Sequence, residues 1–99
     1  MKYKIIFTPT SIKDLVGIYY YIIDEFGVIE IADELLNDLY RAISNLHFFP
    51  YRCALRKIGK YSNREHRQLF VKNFTIVYRV DESHNRVLVA AVRYTPSNF

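Results

Sequence analysis

"HRQLFVKNFTIVYRV", residues 66–80, alternates apolar and polar side chains on both sides of Lys72-Asn73 and carries arginines near its two ends. A two-residue turn at Lys72-Asn73 pairs Val71 with Phe74, so Leu69 and Val71 share a face with Phe74, Ile76, Tyr78 and Val80. That apolar face predicts packing against helices. The opposite face carries His66, Gln68, Phe70, Thr75, Val77 and Arg79, a polar, basic and apolar mixture that a core does not need. It is the expected working surface. "DESHN", residues 81–85, then turns the chain into "RVLVAAVRYTPSNF", residues 86–99. Both faces of that last segment are apolar as far as Arg93, so parity leaves open which face receives this arginine.

Upstream of the hairpin the period changes from two to 3.6. "KYKIIFT", residues 2–8, reads as a strand, and "TPTSIKD" supplies helix-start chemistry, with Thr8 or Thr10 as N-cap and Ser11 followed by Asp14. A first helix is predicted to about Phe26, with Ile12, Leu15, Val16, Tyr19, Ile22, Ile23 and Phe26 on one face and Gly27 as its stop. A second, roughly 29–48, presents Ala32, Leu35, Leu36, Leu39, Ile43 and Leu46 before Pro50 prevents continuation. The two form a helical hairpin. After Pro50 a short strand is predicted near 53–58, then the turn-rich "GKYSNRE", then strands near 66–71, 74–81 and 86–94. The order is β-α-α-β-β-β-β. The fold class is α+β: an N-terminal strand and a helical hairpin packed on a mostly antiparallel sheet of four to five strands, in one domain over 1–99.

Composition bounds the function. With 51% hydrophobic and 16% aromatic residues, 99 residues can build one packed core. A formal charge of +4 suits a polyanion or an acidic protein partner, and equally a domain that is merely basic. Cys53 is the single cysteine, so no internal disulfide forms, and a reducing cytoplasm is expected. No Cys/His spacing suggests a metal, and there is no Gly-rich phosphate loop or Ser/His/Asp set, so no cofactor is expected. The three histidines, His47, His66 and His84, are scattered over a helix end, a strand and a turn. The apolar run near the N-terminus is only Ile5 to Phe7, too short for a signal peptide. "LVGIYYYII", residues 15–23, is about half of a bilayer span. No membrane segment is expected.

The run "FTIVYRVDESHNRVLVAAVRY", residues 74–94, preceded by the helical pair and by "LHFFPYR", residues 46–52, resembles the RelE/ParE superfamily of bacterial toxins over nearly the whole chain. Its recurring marks are a Pro after the second helix, an aromatic-x-I/V-x-Y-x-V strand and a hydrophobic last strand ending in V-R-Y. The resemblance implies a compact type II toxin, neutralised in an oligomeric complex by a cognate antitoxin. It implies one of two activities: poisoning of DNA gyrase by ParE-like members, or ribosome-dependent mRNA cleavage by RelE-like members.

Cleavage of RNA by its own 2′-OH requires a base, an acid for the leaving oxygen, and positive charge on the phosphate. RelE-like members supply lysines and an arginine from central strands and a Tyr or His near the C-terminus. Carried onto this chain, the strand arginine falls on Thr75, the alternating lysines on His66 and Gln68, and a terminal His-Tyr on Thr95 and Pro96. His66 as base, Arg67, Arg79 and Arg93 as phosphate clamps and Tyr94 near the terminus are the substitutes that this activity would have to recruit. ParE-like members resemble the chain more in layout: "DLVGIYYYIIDEFG", residues 14–27, has their long aromatic first helix, and "YRVDE", residues 78–82, their strand end. That branch traps gyrase on cleaved DNA and needs no active site, so the ParE-like reading is preferred. The mRNA endoribonuclease is its alternative and a nontoxic nucleic-acid-binding relative a further one.

Helix one also carries apolar groups beyond its core stripe. Ile18 and Tyr21 share another face, with Tyr20 between the two, and are the candidates for binding the antitoxin. Snorkelling of the two tyrosines and self-association through the same surface are the other readings.

Overall fold

The computed structural model describes residues 2–62, 64–97 and 99. In chain order it contains β1 (Lys4–Phe7), α1 (Pro9–Phe26), α2 (Ile29–Ser44) with a 3₁₀ turn at Asn45–His47, β2 (Arg67–Val71), β3 (Phe74–Asp81), a 3₁₀ turn at Glu82–His84, and β4 (Arg86–Tyr94). The strands form one sheet in the order β1-β4-β3-β2, with β1 parallel to β4 and the other pairs antiparallel.

Each boundary has a local cause. The Thr8 hydroxyl accepts from the Ser11 backbone N–H at 3.2 Å, and Pro9, which has no N–H to satisfy, opens α1. Gly27 ends it in the left-handed region, φ 65°, and donates to the Ile23 carbonyl at 2.7 Å. Only Gly27 and Val28 separate the helices, so α2 must fold back beside α1. The Tyr19 hydroxyl donates to Asp33 at 2.8 Å and ties the pair. Parallel pairing of β1 with the first half of β4 needs a crossover, and the helical hairpin provides it.

The core lies between α2, α1 and one face of the sheet. Ala32, Leu35, Leu39 and Ile43 of α2 meet Ile76, Val89 and Val92, with Leu69, Val71 and Phe74 packed at the margin. A second cluster joins Leu46 to Tyr78 and Val87, and the buried Tyr78 hydroxyl donates to the Pro50 carbonyl at 2.6 Å. The hairpin register is the expected one, Val71 opposite Phe74 and Leu69 opposite Ile76.

Three expectations are corrected. The segment near 53–58 is not a strand: it makes one isolated bridge, Leu55 to Arg67, so the sheet has four strands. α2 stops at Ser44 and tightens into the 3₁₀ turn, four residues before the expected end at 48. On α1 the buried stripe is rotated. Ile12 and Val16 are 51% and 49% exposed and Phe26 is exposed too, whereas Ile18 packs against the core with Leu15, Tyr19, Ile22 and Ile23. The helix is apolar on more than one side, so its period fits two orientations, and contact with α2 and β4 selects between them.

Candidate functional site

The sheet face away from the helices is assembled from β2, β3 and β4. Alternation brings Gln68, Phe70, Thr75, Val77 and Arg79 to it, as the hairpin pattern predicts. A bulge decides what β4 adds. Val77 pairs with Ala91 but Tyr78 with Val89, leaving Ala90 as the extra residue. Val87 and Val89 face the helices before the bulge and Val92 does so after it, so Arg93 falls on the open face opposite Thr75. This resolves the parity that period alone leaves open.

At the centre of this face Thr75 is buried, and its hydroxyl meets that of Thr95 at 2.8 Å. Arg93 beside it is neutralised by Asp14 of α1, whose carboxylate accepts from Arg93 Nε at 2.9 Å and from the Val92 backbone N–H at 3.0 Å. β1 ends at Phe7, so the second half of β4 has an uncovered edge, and Asp14 occupies one of its unpaired donors. The irregular segment after Pro50 and the chain end cover one flank. Arg56, 6% exposed, donates to Gln68 at 3.0 Å and lays its guanidinium over the Phe99 ring at 4.2 Å.

The other flank is a hollow of about 430 Å³ lined by Thr8, Arg64, His66, Arg79, Leu88 and Ala90. His66 is 8% exposed and stacks edge-on against Tyr61 at 5.1 Å. Burial, with Arg79 and Arg64 adding to it, pushes the imidazole pKa down and favours the neutral ring. Its Nδ1 is buried and has no hydrogen-bond partner among the described residues. Among the described residues, no carboxylate, lysine or tyrosine lines the hollow.

Of the five ribonuclease candidates, the fold therefore groups only His66 and Arg79. Arg67 lies opposite Tyr78 on the helix side, donating to the Cys53 carbonyl at 2.6 Å and resting on the Tyr51 ring. Tyr94 packs edge-on against Phe74, half exposed, and Arg93 is held by Asp14. Arg64, Thr8 and the buried Arg56 belong to the face but escaped sequence reasoning. Thr8 reads as a helix cap, and the two arginines lie in a stretch without period. Among the described residues, no group of three or more His, Cys, Asp or Glu could hold a metal ion.

A separate, mostly apolar groove of about 680 Å³ runs between α1 and the ends of β3 and β4. Ile18 and Tyr21, two of the three antitoxin candidates, line it together with Phe26, Phe74 and Tyr94. Tyr20 stands outside, 60% exposed and edge-on to Tyr19. Among the described residues no helix is long and apolar enough to cross a membrane.

The architecture is shared with chains of solved toxin–antitoxin systems. The chromosomal ParDE toxin–antitoxin system of P. aeruginosa contains a chain that superposes with a TM-score of 0.77 at 18% identity, covering 94% of this chain and 96% of that one. A chain of the RelBE2 toxin–antitoxin complex of Mycobacterium tuberculosis does so with a TM-score of 0.63 at 18% identity, covering 95% and 99%. Identities this low establish the fold alone. No curated protein matches the chain in sequence. The sequence profile described as the ParE toxin of the type II toxin–antitoxin system parDE, however, matches residues 5–99. With the profile spanning the helical hairpin and all four strands, the chain belongs to the ParE toxin family of type II toxin–antitoxin systems.

Proposed function

We propose that this chain, as a single toxin domain over 1–99, arrests bacterial growth in the cytoplasm by poisoning DNA gyrase, and that a cognate antitoxin silences it. The observation that carries the reading is the centre of the open face. Where a ribonuclease of the superfamily would present an arginine, the buried Thr75 hydroxyl is paired with Thr95, and the neighbouring Arg93 is neutralised by Asp14. Arg67 and Tyr94 stand away from His66, so base, acid and phosphate clamp do not converge. Membership of the ParE family and the ParDE fold match support the same branch.

Antitoxin binding is assigned to the apolar groove beside α1, with Ile18 and Tyr21 as its contacts. The toxin–antitoxin nature of both solved relatives supports such a partner. Tyr20 contributes at most a rim contact.

The ribonuclease reading keeps one observation in its favour, the neutral-leaning His66 in a hollow with Arg64 and Arg79. Induction of the chain without its antitoxin, with pulse labelling of DNA and protein synthesis in one culture, separates the two. DNA damage with translation initially intact is expected. Immediate loss of protein synthesis with cleaved mRNA would replace the gyrase reading, and unimpaired growth would mark a nontoxic relative.

A further inference from the structure

The hollow on the open face concentrates positive charge, with no carboxylate among the described residues that line it. Arg64 and Arg79 both line it, and neither forms an ion pair with a described carboxylate. His66 lines it too, its Nδ1 buried and without a partner among the described residues. Thr8, the N-cap of the 18-residue α1, forms another wall, and the first turn of that helix contains no acidic residue. Thr8 thus brings the start of α1 to the rim of the hollow, while the Ser11 and Ile12 N–H groups are taken up by Thr8 itself. The Thr8 hydroxyl is already committed to the Val89 and Ala90 carbonyls and to the Ser11 N–H, so it shapes the wall and is not a free donor.

These features share one complement: an oxyanion with several acceptor oxygens at fixed angles, able to take a guanidinium on each of two sides and a ring N–H on a third. A volume of about 430 Å³ exceeds what one such group fills, and Leu88 and Ala90 offer an apolar wall for a ring attached to it. We propose that this hollow is a phosphoryl-binding site, in which Arg64, Arg79 and the His66 ring hold the phosphate oxygens near the start of α1. The phosphoryl group can belong to a nucleotide monoester or to the diester backbone of a nucleic-acid strand. The inference goes beyond the gyrase reading and does not depend on it, because binding is measured on the full chain with no gyrase present.

The test follows the His66 ring resonances of the full chain by NMR at constant ionic strength. The probes are inorganic phosphate, a nucleoside 5′-monophosphate, and a short single-stranded oligodeoxynucleotide with free hydroxyls at both ends. Saturable shifts of the His66 ring are expected with at least one probe. Arg79→Gln should weaken that binding at least tenfold, whereas Arg52→Gln, outside the hollow, should leave it unchanged. Arg64 is exposed, so Arg64→Gln tests the clamp in a chain expected to fold even where Arg79→Gln does not, and it too should weaken binding several-fold. Tighter binding of the oligodeoxynucleotide assigns the site to backbone diesters, and tighter binding of the monophosphate or of phosphate assigns it to monoesters. No saturable shift, equal shifts with chloride or acetate, or equal weakening by Arg52→Gln would overturn the proposal.

Discussion

Asp14 illustrates how much a single residue can carry. Read along the chain it is a charge in the first turns of a helix; in the fold its carboxylate accepts from Arg93 Nε and from the Val92 backbone N–H. Its side chain is 16% exposed, and hydrogen bonds to charged groups contribute about 1.5–3 kcal/mol each when shielded. Asp14→Ala should therefore lower the unfolding free energy in urea by about 2 kcal/mol. Asp14→Asn, which keeps an acceptor for the Val92 N–H, should lose roughly half of that. Equal losses would mean that the ion pair, and not the strand edge, is what Asp14 supports. Tyr78 makes a comparable single contact, its hydroxyl donating to the Pro50 carbonyl in a fully buried setting that also raises the phenol pKa. Neither role has a signature in the sequence, because both partners are distant in the chain.

At the scale of elements, the ends of α1 and the bulge in β4 matter most. A Cβ at Gly27 would meet nothing within 4 Å, so the cost of Gly27→Ala is purely conformational. With φ at 65°, it should destabilise the chain by about 1 kcal/mol, readable as a shift of the urea midpoint without a change in slope. Ala90, as the extra residue of the bulge, offsets the alternation in the rest of β4 despite its small side chain. Deleting Ala90 alone removes the bulge yet keeps the faces, because Ala91, Val92 and Arg93 still oppose Val77, Ile76 and Thr75; deleting Ala90 and Ala91 together puts Val92 opposite Val77 and Arg93 opposite Ile76, turning Arg93 toward the core and Val92 toward solvent. An unpaired buried guanidinium and the lost apolar contacts predict a loss of about 3 kcal/mol or more for the double deletion, and its circular dichroism melt should fall accordingly, well below that of the single deletion. A double deletion that melts like the single one would show that the residue count after Val89 does not set the face of Arg93. The helical hairpin and the β2–β3 hairpin were legible because each repeats a local period several times. The bulge was not, since a run of valines and alanines satisfies both faces equally.

Across the whole molecule, titration couples the turns to the open face. Arg86, then Ser83 and His84, hold the Asp81 carboxyl well below the usual carboxylate range. Hydroxyls of Tyr51 and Tyr3 lower Glu82, and Lys72 lowers Asp38. The Tyr51 phenol is pushed up to about 12, chiefly by its hydrogen bond to Glu82. For each carboxylate the unfolded chain binds protons at a higher pH than the folded one. Their stabilisation is therefore complete above about pH 4.5 and lost as the pH falls through the carboxylate range. His66 acts earlier. Its folded pKa lies below the ordinary 6.5, so between that value and the folded pKa the unfolded chain again binds more protons, and stability falls as the solution becomes more acid than about pH 6.5. The groups facing it are the Arg64 and Arg79 guanidiniums and the Tyr61 ring. Thermal melts in phosphate-free buffer should decline in two stages. His66→Gln should flatten the first stage, and Asp81→Asn the second. A single decline confined to the carboxylate range would exclude His66 as a buried neutral ring.

By itself the sequence determined the helical hairpin, the register of β2 on β3, the residues that β2 and β3 place on the open face, and the resemblance to a toxin superfamily. Those depend on periods of two and 3.6 residues and on caps such as Thr8 and Gly27, which act over a few positions of the chain. The tertiary structure decided the rest. It rotated α1 so that Ile18 packs inward and Ile12 and Val16 face solvent, and it left 53–58 as a single bridge. It sent Arg67 and Tyr94 away from His66 and drew Arg64, Arg79 and the start of α1 around that imidazole. The physical reason is common to all of these. A charged or aromatic side chain in an aperiodic stretch has no local preference strong enough to place it, so its position follows from where burial, opposite charge and unpaired backbone groups are offered by segments far away in sequence.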